Sequence, residues 1–373
     1  MKHWQLLEVA NDADDSDKSS SAAAAEALNA YLEALVNAES LLVLAGSGTS
    51  YGVTSGADEA RTAPSMSTLW DEVVSLETFE AATAGFTPSL LDSKNLEHLL
   101  SEAQARSVLK PDDDLLTGFI EAAERIVLER CGFVDDRSAL PQHETFLRKI
   151  ARRSTRLHRT QVFTTNYDLA FETAARRARF NVVDGFGYGG SIFDGTSFDL
   201  DYVRRRPREA PTLEPNVFHL LKLHGSVDWD QSSDVIRKTV EVPRVPVLIY
   251  PSASKYQLSY QQPYLEFMSR FQIALRQQDV GVIVVGFGFN DAHIVAPLEA
   301  AIRSNVGIRA VIVSPDVSAP GRAETVAEFA RLIGLGDRRL ALLDGTFADL
   351  VRMLPDVPPM EERTAHQERF EWS

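Results

Sequence analysis

The chain has 373 residues, 44% of them hydrophobic, and a formal net charge of −15 from 38 basic and 53 acidic side chains. That length suffices for one large α/β domain with an insertion, or for two domains, and the acidic balance argues against direct nucleic-acid binding, which needs a net basic surface. The single cysteine, Cys131, excludes an internal disulfide and a zinc site built on four cysteines or on paired cysteines and histidines.

The chain opens Met1-Lys2-His3-Trp4-Gln5 and turns acidic at Asp12, Asp14, Asp15 and Asp17. It lacks the basic start and apolar core of a signal peptide, and no apolar run reaches transmembrane length. Together with scarce cysteine this fits a cytoplasmic protein with no membrane partner. Residues 8–20 are polar, and 21–38, rich in Ala, Leu and Glu, read as a helix capped by Ser19, Ser20 or Ser21. A strand is expected over 40–45, running into Gly46-Ser47-Gly48-Thr49-Ser50. Stretches 66–82, 95–109, 113–131 and 142–153 carry helical periodicity, with Asn95 or Ser93 capping the second and Asp112 the third. They make 53–158 a mostly helical insertion, either a lid over the glycine turn or a packing subdomain.

Strands return at 160–164, 180–184, 217–224, 246–250, 280–286, 309–314 and 339–343, separated by helical stretches such as 166–179, 261–278, 292–304 and 320–333. The alternation predicts a parallel sheet covered on both faces. Residues 185–215 read as a loop with a hairpin, and the tail beyond Pro355 is acidic. The expected organisation is an N-terminal segment and helix (1–39), a Rossmann-like domain (40–350) carrying the insertion, and a C-terminal tail (351–373).

Chemistry concentrates at strand ends, where open α/β sheets keep their ligands. Glycines at 46 and 48 let the backbone approach a pyrophosphate, whose oxygens would then meet bare N–H groups, with Thr49 and Ser50 adding hydroxyls, although a plain strand-to-helix turn has the same composition. The spacing is neither the dehydrogenase fingerprint nor Walker A. Thr164-Thr165-Asn166-Tyr167-Asp168 ends the second strand. Asn166 suits the orienting of a water or sugar hydroxyl and Asp168 suits accepting from a ribose, while either residue alone reads equally as a helix cap. Leu223-His224-Gly225-Ser226 puts an imidazole at the next rim, as a general base or as a histidine bonded to a loop carbonyl. Val285-Gly286-Phe287-Gly288-Phe289-Asn290-Asp291 forms a second glycine turn, with Asn290 or Asp291 a candidate cap, and a later strand ends at Ser314. The basic runs Arg152, Arg153, Arg156, Arg159 and Arg204, Arg205, Arg206, Arg208 read as a partner surface or a solvated face.

This ordered set resembles the sirtuin fold, in its bacterial defence-associated branch. The resemblance rests on Ala45 to Ser50, Thr164 to Asp168, Leu223 to Ser226, Val285 to Gly288, Ser314 and Tyr250-Pro251-Ser252-Ala253-Ser254-Lys255-Tyr256. It implies NAD as substrate, with Gly46, Ser47 and Ser50 at the phosphates, Gly48 and Thr49 also binding the cofactor, and Gly286, Gly288 and Ser314 at the adenosine end. It implies Asn166 and Asp168 around the nicotinamide ribose and His224 as general base. The deacylases of the family carry a four-cysteine zinc site and an arginine-bearing proline loop. This chain cannot form the first, and Arg61-Thr62-Ala63-Pro64 is only a faint echo of the second. The resemblance therefore implies hydrolysis of NAD to nicotinamide and ADP-ribose by an effector of anti-phage defence. Such an effector forms a homo-oligomer and pairs with a protein such as a HerA-type ATPase. The alternatives are an NAD-dependent protein deacylase or ADP-ribosyltransferase, and a non-catalytic NAD or ADP-ribose sensor.

Overall fold

The computed structural model describes residues 4–5, 18–58, 60–187, 191–208, 210–232, 235–248, 262–315, 317–319 and 321–356. The segment Tyr250 to Tyr256, one of the stretches that carry the sirtuin resemblance, lies outside them, as does the tail from 357. The strands are β1 (Trp4–Gln5), β2 (Ser40–Ala45), β3 (Gln161–Thr164), β4 (Asn181–Val183), β5 (Val203–Arg204), β6 (Thr212–Leu213), β7 (Val217–Lys222), β8 (Gly225–Asp230), β9 (Arg237–Lys238), β10 (Pro246–Leu248), β11 (Val280–Val285), β12 (Ile308–Ser314) and β13 (Leu340–Asp344). The helices are α1 (Lys18–Val36), α2 (Met66–Val74), α3 (Phe79–Thr83), α4 (Pro88–Asp92), α5 (Leu96–Leu109), α6 (Asp114–Cys131), α7 (Pro141–Ala151), α8 (Ala170–Ala178), α9 (Tyr264–Leu275), α10 (Ala292–Ser304), α11 (Glu324–Gly334) and α12 (Phe347–Met353).

The main sheet has the order β1-β13-β12-β11-β2-β3-β7-β4. From β13 to β4 its seven strands run parallel, and β1 adds an antiparallel edge. The fold is α/β and Rossmann-like, with a helical region ahead of β3. β2 and β11 are buried along their whole length because both faces of the sheet are covered, so neither shows polar alternation. Leu42, Leu44, Phe163, Val282 and Val284 face one core, packed with residues of α9, α10 and α11. Leu41, Val43, Val162, Ile283 and Val285 face the other, against α1, α7, α8 and α12. The period of two along each strand sorts the side chains between these cores. Each fully buried Leu, Ile or Val contributes roughly 1.5–3 kcal/mol relative to exposure.

Three differences from the sequence reading have physical causes. The 246–250 strand does not join the parallel sheet: β10 pairs antiparallel with β8 in a second sheet of order β10-β8-β9. Gly225, at φ +91°, turns the chain off the main sheet directly after β7, and a Cβ there would lie 2.0 Å from the Val247 carbonyl oxygen. The stretch 66–82 breaks into α2 and α3, with Ser75 closing α2 by donating its amide and hydroxyl to the Glu72 carbonyl. The insertion also divides. α2, α5 and α6 share a third core built on Leu69, Val73, Leu99, Phe119 and Val127, whereas Phe146, Leu147 and Ile150 of α7 pack onto the sheet. Asn95 caps α5 by accepting from the His98 amide at 3.0 Å, and α6 is capped by Asp113 rather than its neighbour Asp112.

Three arginines of the basic runs are paired within the fold. Arg153 is buried and donates to the carbonyls of Ala38, Glu39 and His158, Arg159 grips Asp201 at 2.9 Å through two nitrogens, and Arg204 grips Glu214.

The register places the site. Ala45 sits opposite both Val285 and Thr164, and Thr164 sits opposite Lys222. The residues that follow β11, β2, β3 and β7 therefore emerge side by side, at about 4.8 Å per strand. From β2 the chain proceeds to β3 on one side and later to β11 on the other, so a crevice opens between their ends, the usual ligand position in such sheets.

Candidate active site

The two glycine turns pack on each other. A Cβ on Gly46 would lie 2.5 Å from the Gly286 carbonyl oxygen, one on Gly48 would lie 2.6 Å from the Gly286 Cα, and Gly286 itself has φ +61°. Gly46 donates its amide to the Val285 carbonyl at 3.0 Å and Gly48 donates to the Gly286 carbonyl at 2.9 Å. The amides of Thr49 and Ser50 close the short 3-10 turn onto Gly46 and Ser47. This corrects one expectation: those four amides are engaged within the turns instead of lying bare for a pyrophosphate. Backbone contact between two strand ends accounts for the glycines.

Two adjoining cavities flank this contact and share Ser47, Phe287 and Gly288. The smaller, about 170 Å³, is lined by Gly46, Ser50, Asn166, Asp168 and His224, with Glu97, Cys131, Tyr167, Asn290 and Asp291. The larger, about 570 Å³, is lined by Gly48, Thr49, Gly286 and Ser314, with His143 and Thr346. All eleven residues singled out from the sequence thus fall on one or both cavities. A third cavity of about 750 Å³ lies at the opposite end of the sheet, where Ser40, Gln161 and His219 mark the starts of strands or lie near them.

Asn166 is 6% exposed. Its Nδ2 donates to Thr49 Oγ1 at 3.1 Å and to Ser50 Oγ at 3.0 Å. The orientation is forced, because the Thr49 hydroxyl already donates to the Gly46 carbonyl (2.8 Å) and the Ser50 hydroxyl to Asp168 Oδ2 (2.7 Å). Both hydroxyls can therefore only accept from Asn166. Its Oδ1 is left buried without a partner among the described residues, a state that costs about 1–3 kcal/mol unless a ligand or water donates to it.

Asn166 does not cap the following helix, which begins at Ala170 rather than 166. Asp168 does part of that work: its Oδ1 accepts from the Ala170 amide at 2.9 Å. With Oδ2 holding Ser50, both carboxylate oxygens have protein partners, so its observed role is to position the Ser50–Asn166 network. The loop is further tied by buried Lys222, which donates to the carbonyls of Tyr167 and Asp168 and to Glu172 Oε1 at 3.0 Å. Burial raises the Glu172 pKa, against the pull of Lys222.

His224 is 1% exposed and lies between two carboxylates. Glu97 Oε1 is 3.2 Å from Nδ1, off the N–H axis, and Asp291 Oδ2 is 4.0 Å from Nε2. Burial alone lowers a histidine pKa. Here Glu97, with Asp291 behind it, outweighs burial and leaves His224 raised above its ordinary value. Glu97 moves the other way, its burial outweighed by His224. Asp291 is pushed up to about 7, by burial first and then by Glu97 against the pull of His224. Asp291 makes no side-chain cap at the start of α10, so the capping alternative for it does not hold. Glu97, His224 and Asp291 offer ligand atoms within 4.8 Å of one another, the one such trio of metal-ligating types among the described residues.

Sequence reasoning missed Glu97 and His143. Glu97 follows the cap of an ordinary helix, and nothing in the sequence joins that helix to His224. His143 is buried against Phe171 and Phe347 with both ring nitrogens unpartnered among the described residues, and burial holds its pKa down to about 4. It is neutral, with one donor and one acceptor for the larger cavity.

These features define a Rossmann-like α/β protein with a polar, buried cluster at the carboxyl ends of its central strands. More particularly, a family model described as a SIR2-like domain matches residues 160–330, from the start of β3 into α11. The match supports a sirtuin-like fold, and since SIR2-like domains bind NAD it suggests an NAD-related function. The matched span contains Asn166, Asp168, His224, Gly286, Gly288 and Ser314, whereas the first glycine turn and Glu97 precede it. No curated protein matches the chain. One cysteine cannot build the cysteine zinc cluster of the deacylases, and no helix among the described residues is long and apolar enough to cross a membrane.

Proposed function

We propose that the protein hydrolyses the N-glycosidic bond of NAD, giving nicotinamide, ADP-ribose and a proton. The observation that carries this reading is the Asn166 carboxamide, held by two hydroxyls with its buried Oδ1 free to accept, on the same cavity as the buried imidazole of His224. The nicotinamide end occupies the smaller cavity, and the adenosine end reaches the larger one past Ser47, Phe287 and Gly288. Departure of nicotinamide relieves the positive charge of its ring and builds oxocarbenium character at the ribose. The carboxylates around the cavity favour that charge. Asn166 Oδ1 accepts from the attacking water and so fixes its direction, and His224 takes the proton the water loses.

The absence of a cysteine zinc cluster weighs against deacylation. A non-catalytic NAD or ADP-ribose binder is the second reading, favoured by one observation: both ring nitrogens of His224 face carboxylates. The biological setting belongs to the same proposal: an effector of anti-phage defence that depletes NAD, assembled as a homo-oligomer and working with a partner such as a HerA-type ATPase. Its support is the motif resemblance.

The test is to incubate purified protein with NAD, alone and with a HerA-type partner, and follow nicotinamide release in wild type, Asn166→Ala and His224→Ala. Release that both substitutions abolish in folded protein is expected. Undiminished turnover in either variant refutes the role of the residue replaced, and NAD binding without release under both conditions favours the binder.

A further inference from the structure

We propose that Glu97, delivered by the helical insertion, is a positioning residue for His224, so that the insertion is a working part of the active site. The catalytic consequence rests on the hydrolase reading; the pairing does not.

Asn95 fixes where α5 begins, and Leu96, Leu99 and Leu100 lock that helix into the core of the insertion. Glu97 therefore projects from a rigid first turn, its side chain 12% exposed, onto Nδ1 of a histidine held at the end of β7. Tyr167, from the loop after β3, donates its hydroxyl to the same Glu97 oxygen at 3.4 Å. Tyr167 also packs within the insertion core, which places the seam between the two parts of the molecule at the site itself. The remaining titratable neighbours of His224 come from one place. Asp291 and His293 open α10, with the His293 ring 5.6 Å from that of His224. Burial, then the charge of His224, holds His293 down to about 3, so it stays neutral.

A carboxylate on Nδ1 orients the ring and raises its basicity, leaving Nε2 for the proton that hydrolysis releases. A packing subdomain would need no acidic residue buried at this seam, where an unpaired carboxylate is costly.

The experiment uses the full chain with selectively labelled histidine. The His224 resonance, assigned with His224→Gln, is titrated by NMR in wild type, Glu97→Gln and Glu97→Asp, and nicotinamide release is followed over the same pH range. The wild-type midpoint is expected above the ordinary histidine value. Glu97→Gln should lower it by about one to three units, and the acid limb of kcat should move the same way. Glu97→Asp should restore part of both. A midpoint unmoved in folded Glu97→Gln overturns the proposal. So does turnover that is lost on chelation and regained with a divalent cation, because the trio would then be a cation site. If the midpoint moves but wild type releases no nicotinamide, the pairing stands and the hydrolase reading falls.

Discussion

Substitution of Asn166 separates folding from chemistry. In Asn166→Ala two hydrogen bonds disappear, worth about 0.5–1.5 kcal/mol each, but so does a buried unpartnered acceptor that cost about 1–3 kcal/mol. The Thr49 and Ser50 hydroxyls keep their own acceptors, Gly46 and Asp168. The net change in stability is thus within about 2 kcal/mol of zero, while nicotinamide release falls by about 100-fold or more. Asn166→Asp has nearly the same shape and the opposite result. Both hydroxyl protons are committed, so the introduced carboxylate meets oxygen lone pairs in a buried position close to Asp168. It loses about 3–5 kcal/mol as an unpaired buried charge, or takes up a proton and loses less. Its folded-state pKa is then raised above the unfolded value, so the penalty grows as pH rises through that folded value and fades below it. Urea unfolding of both variants near pH 5 and near pH 8, with nicotinamide release in parallel, tests the argument. It is refuted if the aspartate variant is no less stable than the alanine variant at the higher pH, or if Asn166→Ala retains turnover.

Lys222→Met strands the Glu172 carboxylate and unties the Tyr167 and Asp168 carbonyls, so denaturant unfolding should show a loss of about 3–5 kcal/mol. Gly286→Ala meets backbone of the facing turn at 2.6 Å from a positive φ and should cost about 1–3 kcal/mol or more. By contrast Gly118→Ala, in the middle of α6 with nothing within 4 Å of the new Cβ, should stabilise by roughly 0.5–1 kcal/mol; chemical denaturation distinguishes the two glycines. The charge cluster gives the stability a pH dependence. The contribution of His224, raised in the fold, is complete below its ordinary value and lost as pH rises through the folded one. That of Asp291 is likewise lost on rising through about 7. Glu97, lowered, loses its contribution only as pH falls below its ordinary value. Stability should therefore decline from about pH 4 to 7 through Asp291 and further above the ordinary histidine value through His224, and His224→Gln should flatten the later part of that decline in unfolding curves.

The strand ends were readable in the sequence because an unbroken apolar run closed by glycine or a polar cluster carries its own boundary. Gly46, Asn166, His224 and Gly286 each lie within a residue or two of such a boundary, and a parallel sheet brings boundaries together without further instruction. Hydrophobic period likewise assigned most helices and the two-sided sheet. Local pattern alone could not place β10, which is as apolar as a sheet strand; its partner was decided by the turn at Gly225.

The glycines show the same division. Their identity marked a constrained site, but the constraint is one turn's backbone against another, a contact between segments far apart in sequence. That the oxygen of Asn166 rather than its nitrogen is free followed only from the commitments of two neighbouring hydroxyls. Glu97 had no sequence signal, because a carboxylate in the first turn of a helix is common on any surface. It matters in this fold because the insertion folds back over the sheet and buries that charge against an imidazole. The sequence on its own determined which residues stand at the rim of the sheet. The tertiary structure decided which of them are desolvated together, and desolvation turns an ordinary carboxylate, amide or imidazole into a group with a shifted proton or an unmet hydrogen bond.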